Sequence, residues 1–113
     1  MTTAKLELFD NKLQKTAAFC KALGHPARLA ILKYLAETNV CMSGDITKEV
    51  PLSRTTVNQH LKELKDLDLI KGEIEGARTN YCLNPQIINE FQQIMQAFFT
   101  DLNITELLND QSC

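Results

Sequence analysis

Apolar residues recur at Leu6, Phe9, Leu13, Ala17 and Cys20. That spacing draws one face of a helix running from Leu6 to Leu23. Gly24 ends it, and Pro26 stands where a second helix starts, because a first-turn residue has no use for its N–H. Leu29, Ile31, Leu32 and Leu35 make the second helix apolar as far as Glu37. Thr38 to Met42 reads as a loop or a very short strand. Ser43 or Asp45 is placed to cap a short third helix, roughly Gly44 to Val50, which must stop near Pro51. Ser53 is a suitable N-cap for a fourth helix, Arg54 to Asp66, with Val57, His60, Leu61, Leu64 and Leu67 as its inward stripe.

The period then changes. Leu69 to Glu75 and Thr79 to Leu83 are short runs around Gly76-Ala77-Arg78, the pattern of a β-hairpin. Pro85 opens a long last helix carrying Ile87, Ile88, Phe91, Ile94, Met95, Phe98, Phe99 and Leu102. This stripe is wider than one core contact requires, so part of it is expected to face another chain. Two helices joined by a tight turn, the second polar on one face, make a helix-turn-helix, and the hairpin behind them makes a wing. The expected fold is mainly α (α+β): a winged helix-turn-helix of about five helices with a two-stranded wing.

The 113 residues point to a single domain, 1–113. Its first and last helices, about 5–23 and 85–108, are the expected dimerisation elements, with Leu6, Phe9, Leu13, Phe91, Met95, Phe98 and Phe99 at the interface. No apolar run suits a signal peptide or a membrane span, so a cytoplasmic protein with reduced cysteines and no membrane partner is expected. A net charge of −2 speaks against phosphate binding until its distribution is considered. Residues 1–83 hold all 12 basic residues and 10 acidic ones, whereas residues 84–113 hold 4 acidic residues and no basic one. The acidity is thus concentrated in a segment that need not meet DNA.

At about 100° per residue, Thr55, Gln59 and Lys62 lie nearly opposite Val57 on the fourth helix, with Asn58 on the flank. Hydroxyl, amide and ammonium groups of this kind read base edges in a major groove or hold phosphates. Arg54 is placed to reach a guanine or a phosphate, and the helix start at Ser53 and Thr56 favours a phosphate. Arg78, at the wing tip, is a candidate for the minor groove or the backbone; its alternative is a solvated charge beside Glu75. Arg28 is open between a phosphate contact and a structural ion pair. His60 falls on the inward stripe as a hydrogen-bonded core residue, and His25 before Pro26 is a turn or capping residue. No Gly-rich phosphate loop or His-Glu-x-x-His pair is present, so an enzyme is not expected.

Leu23-Gly24-His25-Pro26-Ala27-Arg28-Leu29-Ala30-Ile31-Leu32 resembles the second-helix signature of the ArsR/SmtB family. Leu52-Ser53-Arg54-Thr55-Thr56-Val57-Asn58-Gln59-His60-Leu61-Lys62-Glu63-Leu64 is similar to its recognition helix. Leu69-Ile70, Gly76, Arg78 and Tyr81-Cys82-Leu83 match its wing. The resemblance implies a homodimeric repressor that binds double-stranded DNA at an inverted repeat and leaves it when an inducer binds. Arg54 and Asn58 stand where the family often has Gln and Ser, which leaves the preferred DNA sequence open. The alternative function is a winged-helix module that binds protein and not DNA.

The family's arsenic or cadmium site has two cysteines one residue apart at the start of the third helix. Here that region reads Val40-Cys41-Met42-Ser43-Gly44-Asp45, with Cys41 alone. Arsenite or a soft metal ion held by thiols is the expected inducer class, with Cys41 as metal ligand and Cys20, Cys82 or Cys113 as further donors. The family's other metal site needs histidine on the last helix, and residues 84–113 have none. A family branch that senses persulfides or oxidants uses a cysteine on the second helix, which is absent here; Cys20 and Cys113 are then the pair to consider. Each cysteine also has a purely structural reading. Cys20 is a small core residue, Cys82 points outward on the wing strand without a role, and Cys113 is a chain-end residue.

Overall fold

The computed structural model describes residues 7–38, 41–43, 52–73 and 80–110. Helix α1 is Asn11–Ala22, with the Asp10 side chain accepting from the Lys12 N–H at its start. The helix expected from Leu6 therefore begins later, where a carboxylate is available to satisfy a first-turn N–H. Its inward face is not the apolar stripe that ends at Cys20. Thr16, Phe19 and Ala22 are buried, while Leu13, Ala17 and Cys20 are exposed. Phe19 decides this orientation by stacking on Phe91 of the last long helix, ring centroids 4.9 Å apart. The buried Thr16 hydroxyl donates to the Lys12 carbonyl at 2.8 Å, so its burial leaves no polar group unmatched.

Helix α2, Pro26–Glu37, carries Pro at its first turn and buries Ala27, Ile31 and Leu35. Strand β1, Cys41–Ser43, follows. The short helix expected over 44–50 lies outside the described residues. Helix α3, Arg54–Asp66, is the fourth helix of the sequence reading, and it buries Val57, His60, Leu61 and Leu64 as the stripe requires. Strands β2, Ile70–Glu73, and β3, Asn80–Leu83, pair antiparallel, with Ile70 opposite Leu83 and Gly72 opposite Tyr81. The expected two-stranded wing is part of a three-stranded sheet of order β1-β3-β2, because β1 pairs with the free edge of β3. Ile31, Leu35, Val57, Leu61, Leu64, Leu69, Ile70 and Tyr81 form one buried cluster, so α2, α3 and the sheet share a core.

Helix α4, Pro85–Leu102, lies over this core through partly buried Ile87, Ile88, Phe91 and Ile94. The single last helix expected to about residue 108 is broken at Asn103, whose φ of 55° and ψ of 49° end α4 in the left-handed conformation. Asparagine tolerates that conformation better than other non-glycine residues, which is why the break falls there. A short helix α5, Ile104–Asn109, continues beyond it. No helix among the described residues is long and apolar enough to cross a membrane.

The wing depends on one glycine. Gly72 has φ +121°, and a Cβ added there would meet the Asn80 carbonyl oxygen and lie 2.8 Å from the Tyr81 Cα. Both obstacles are backbone, so no side-chain rotation relieves them. Gly72→Ala is expected to lower unfolding free energy by about 1–3 kcal/mol, measured by urea denaturation. An unchanged midpoint would show that the β2–β3 ladder is not held in this geometry.

Candidate nucleic-acid interface

Helix α3 is pinned on one side and open on the other. Val57, Leu61 and Leu64 are almost wholly inaccessible. Arg54, Thr55, Gln59 and Lys62 are exposed, and Thr56 and Asn58 are half-buried on the flanks. Ser53 caps the helix: its Oγ accepts from the Thr56 N–H at 3.3 Å and donates to Thr56 Oγ1 at 3.0 Å. Ser53 and Thr56 therefore hold the helix start, while Thr55, Gln59 and Lys62 present donors and acceptors to solvent. Lys71 adds an exposed cation on β2. Arg78 and the wing tip lie outside the described residues.

Three residues seat the back of α3. His25 caps α2, its Nδ1 accepting from the Ala27 N–H at 3.0 Å. His60 is buried against it, with the two rings 4.2 Å apart. Arg28 Nε donates to His60 Nδ1 at 3.0 Å, and its Nη1 donates to the Ala22 carbonyl at 3.1 Å and the Lys21 carbonyl at 3.4 Å. Arg28 is thus structural, but its partners are an imidazole and two carbonyls in place of a carboxylate. Both histidines have the roles read from the sequence. The link from Arg28 to His60 could not be read there, because it joins residues 32 apart in the chain.

The thiols are distributed differently from expectation. Cys20 is exposed and not a core residue; its Sγ lies 3.7 Å from Met95 Sδ on α4. Cys82 is disulfide-bonded, which replaces the reading of an idle outward side chain. Cys41 occupies the strand position opposite Cys82. Cys113 and Leu6 lie outside the described residues. No group of three or more His, Cys, Asp or Glu residues is gathered to hold a metal ion among the described residues. Of the residues expected at a dimer interface, Phe9 is 57%, Leu13 46% and Phe99 53% exposed. Phe98 meets Phe99 edge-on, whereas Phe91 and Met95 contact Phe19 and Cys20 of α1.

His60 gives this arrangement a pH dependence. Burial pushes its pKa below the ordinary 6.5, the neighbouring His25 and Arg28 add to the shift, and Glu63 opposes it. The unfolded chain takes up a proton near 6.5, while the folded protein resists until a lower pH. Between the two, the unfolded state binds more protons, so stability falls as pH drops from 6.5 through the folded-state pKa. Protonated His60 also cannot accept from Arg28. Urea titrations between pH 7 and 5 are expected to show this loss in the native protein and a shallower one in His60→Asn. Parallel slopes would remove His60 as the cause.

Comparison with known proteins agrees with this geometry. A family model described as a helix-turn-helix domain matches residues 23–73, which run from the end of α1 through β2. The HTH-type transcriptional regulator YgaV of Escherichia coli is 32% identical over 76 residues, covering 67% of this chain and 77% of that protein. The arsenical resistance operon repressor of Staphylococcus xylosus is 26% identical over 100 residues, covering 88% of each. The HTH-type transcriptional regulator CmtR of Mycobacterium bovis is 31% identical over 85 residues, covering 72% of this chain and 71% of that protein. With its core-seated α3, outward polar face and β2–β3 wing, the chain belongs to the ArsR/SmtB family of winged helix-turn-helix, DNA-binding transcriptional regulators.

Proposed function

We propose that the protein is a homodimeric repressor that holds an inverted-repeat operator through α3 of each protomer and releases it when an inducer reacts with its thiols. The carrying observation is the exposed row Thr55, Gln59 and Lys62 on a helix whose opposite face is locked into the core. Gln59 pairs with a base edge, adenine being the best geometric match, and Lys62 holds a phosphate. Arg54 adds a phosphate or guanine contact at the helix start, Asn58 borders the same groove, and Arg78 meets the minor groove or backbone from the wing.

Dimerisation is supported by apolar surface at the two ends of the chain. Phe9 and Leu13 at α1, Phe99 and Leu102 at the end of α4, and Leu107 and Leu108 on α5 are all exposed. Burying such surface against a second copy is favourable at roughly 25 cal/mol per Å². A two-fold dimer sets its recognition helices about 34 Å apart, one turn of DNA. The arsenical repressor among the relatives supports arsenite as the first inducer to test, with Cys41 as a thiol ligand.

Fluorescence anisotropy on the DNA upstream of the protein's own coding region tests the reading. The reduced protein is expected to bind, with affinity falling steeply as salt rises. Gln59→Ala combined with Lys62→Ala is expected to weaken binding at least tenfold, about 1.4 kcal/mol or more, with the sedimentation mass still that of a dimer. Unchanged affinity in that variant would remove α3 as the reading element. Absence of binding by an intact dimer would leave the exposed face to a protein partner.

A further inference from the structure

β1 and β3 run antiparallel with Cys41 opposite Cys82. Opposed residues on antiparallel strands have Cα atoms about 4.5–5.5 Å apart, within the ~4.4–6.8 Å that a disulfide spans. Cys82 is disulfide-bonded, and Cys20 carries a free thiol. The chain has four cysteines, so Cys41 and Cys113 are the intramolecular partners left to Cys82. The strand register selects Cys41.

We propose that Cys41 and Cys82 are a redox pair, closed to a cross-strand disulfide by a two-electron oxidant of the peroxide class, and that its state sets the affinity for DNA. The second half rests on the DNA-binding reading above. In the closing reaction one thiol attacks a peroxide oxygen as its thiolate, the O–O bond breaks, and the departing hydroxide takes up the thiol's proton and leaves as water while a sulfenic acid forms. The second thiol, attacking as its thiolate, bonds to that sulfur, the S–O bond breaks, and the hydroxide leaves as a second water with that thiol's proton. The two sulfurs lose two electrons and the peroxide gains them. A low-molecular-weight thiol reverses the change by exchange, giving two electrons and ending as its own disulfide.

The position makes the pair consequential. The chain enclosed between residues 41 and 82 contains all of α3 and β2. Closing the disulfide therefore ties off the whole DNA-reading unit at its base and fixes β1 against the returning strand of the wing. The relative setting of recognition helix and wing is what a winged protein must adjust to meet two grooves at once. The same tie restricts the unfolded chain, so the oxidised form is also expected to melt higher than the reduced one.

The test starts from fully reduced protein treated with hydrogen peroxide. Its intact mass is expected to fall by two hydrogen atoms, with peptide mapping joining Cys41 to Cys82. C41S and C82S lose this cross-link and C20S keeps it. On DNA, peroxide is expected to change the affinity of the native protein by at least about threefold. In C41S peroxide no longer shifts the affinity for DNA, whereas C20S keeps the shift. A cross-link from Cys82 to Cys113, or none, overturns the pair. Equal affinities of the oxidised and reduced forms overturn the link to DNA. If reduced protein binds no DNA, that link falls with the DNA-binding reading, while mass and melting still judge the pair.

Discussion

Helix α3 can keep a polar face outward only because its other side is committed elsewhere. Val57, Leu61 and Leu64 are packed in one cluster with Ile31 and Leu35 of α2 and with Leu69, Ile70 and Tyr81 around the sheet. This contact fixes the rotation of α3 about its own axis. A turn of one residue would carry Gln59 and Lys62 off the outer face and drive polar groups into the core. Burial of unmatched polar groups costs more than most single contacts contribute, so the register is held firmly. Which side chains stand on the outer face is therefore a consequence of apolar packing on the opposite side.

His60 shares that buried stripe, and it is tolerated there because Arg28 supplies its acceptor nitrogen with a donor. The same guanidinium closes the turn between α1 and α2 through the Ala22 and Lys21 carbonyls. One side chain thereby joins α1, α2 and α3. Helix α1 is in turn joined to α4 by the stacked Phe19 and Phe91 and by the Lys15–Glu90 ion pair. The surface proposed for dimerisation is thus connected to α3 by direct contacts, and protonation of His60 acts at the joint.

The sheet supplies the second constraint. Its central strand β3 is held on both edges, by β2 at Gly72, where only a hydrogen fits, and by β1 at Cys41. Wing geometry and thiol chemistry consequently meet on one short strand. An event at the Cys82 sulfur acts on backbone that also carries Tyr81, a full member of the core.

The amino-acid sequence by itself determined α2, α3 and the wing strands. Pro26, Ser53 and the stripe Val57, His60, Leu61 and Leu64 are local signals whose meaning depends on neighbours within a few turns. The outward row Thr55, Gln59 and Lys62 followed from the same helical period, and the capping role of His25 from its place just before Pro26. Tertiary structure alone decided which face of α1 turns inward, because a partly apolar helix has two plausible faces and only the stacking of Phe19 on Phe91 chooses between them. It also decided the partners of Arg28, the third strand of the sheet and the place of Cys82. Each of these joins residues far apart in the chain, and periodicity carries no information about which distant segments pair.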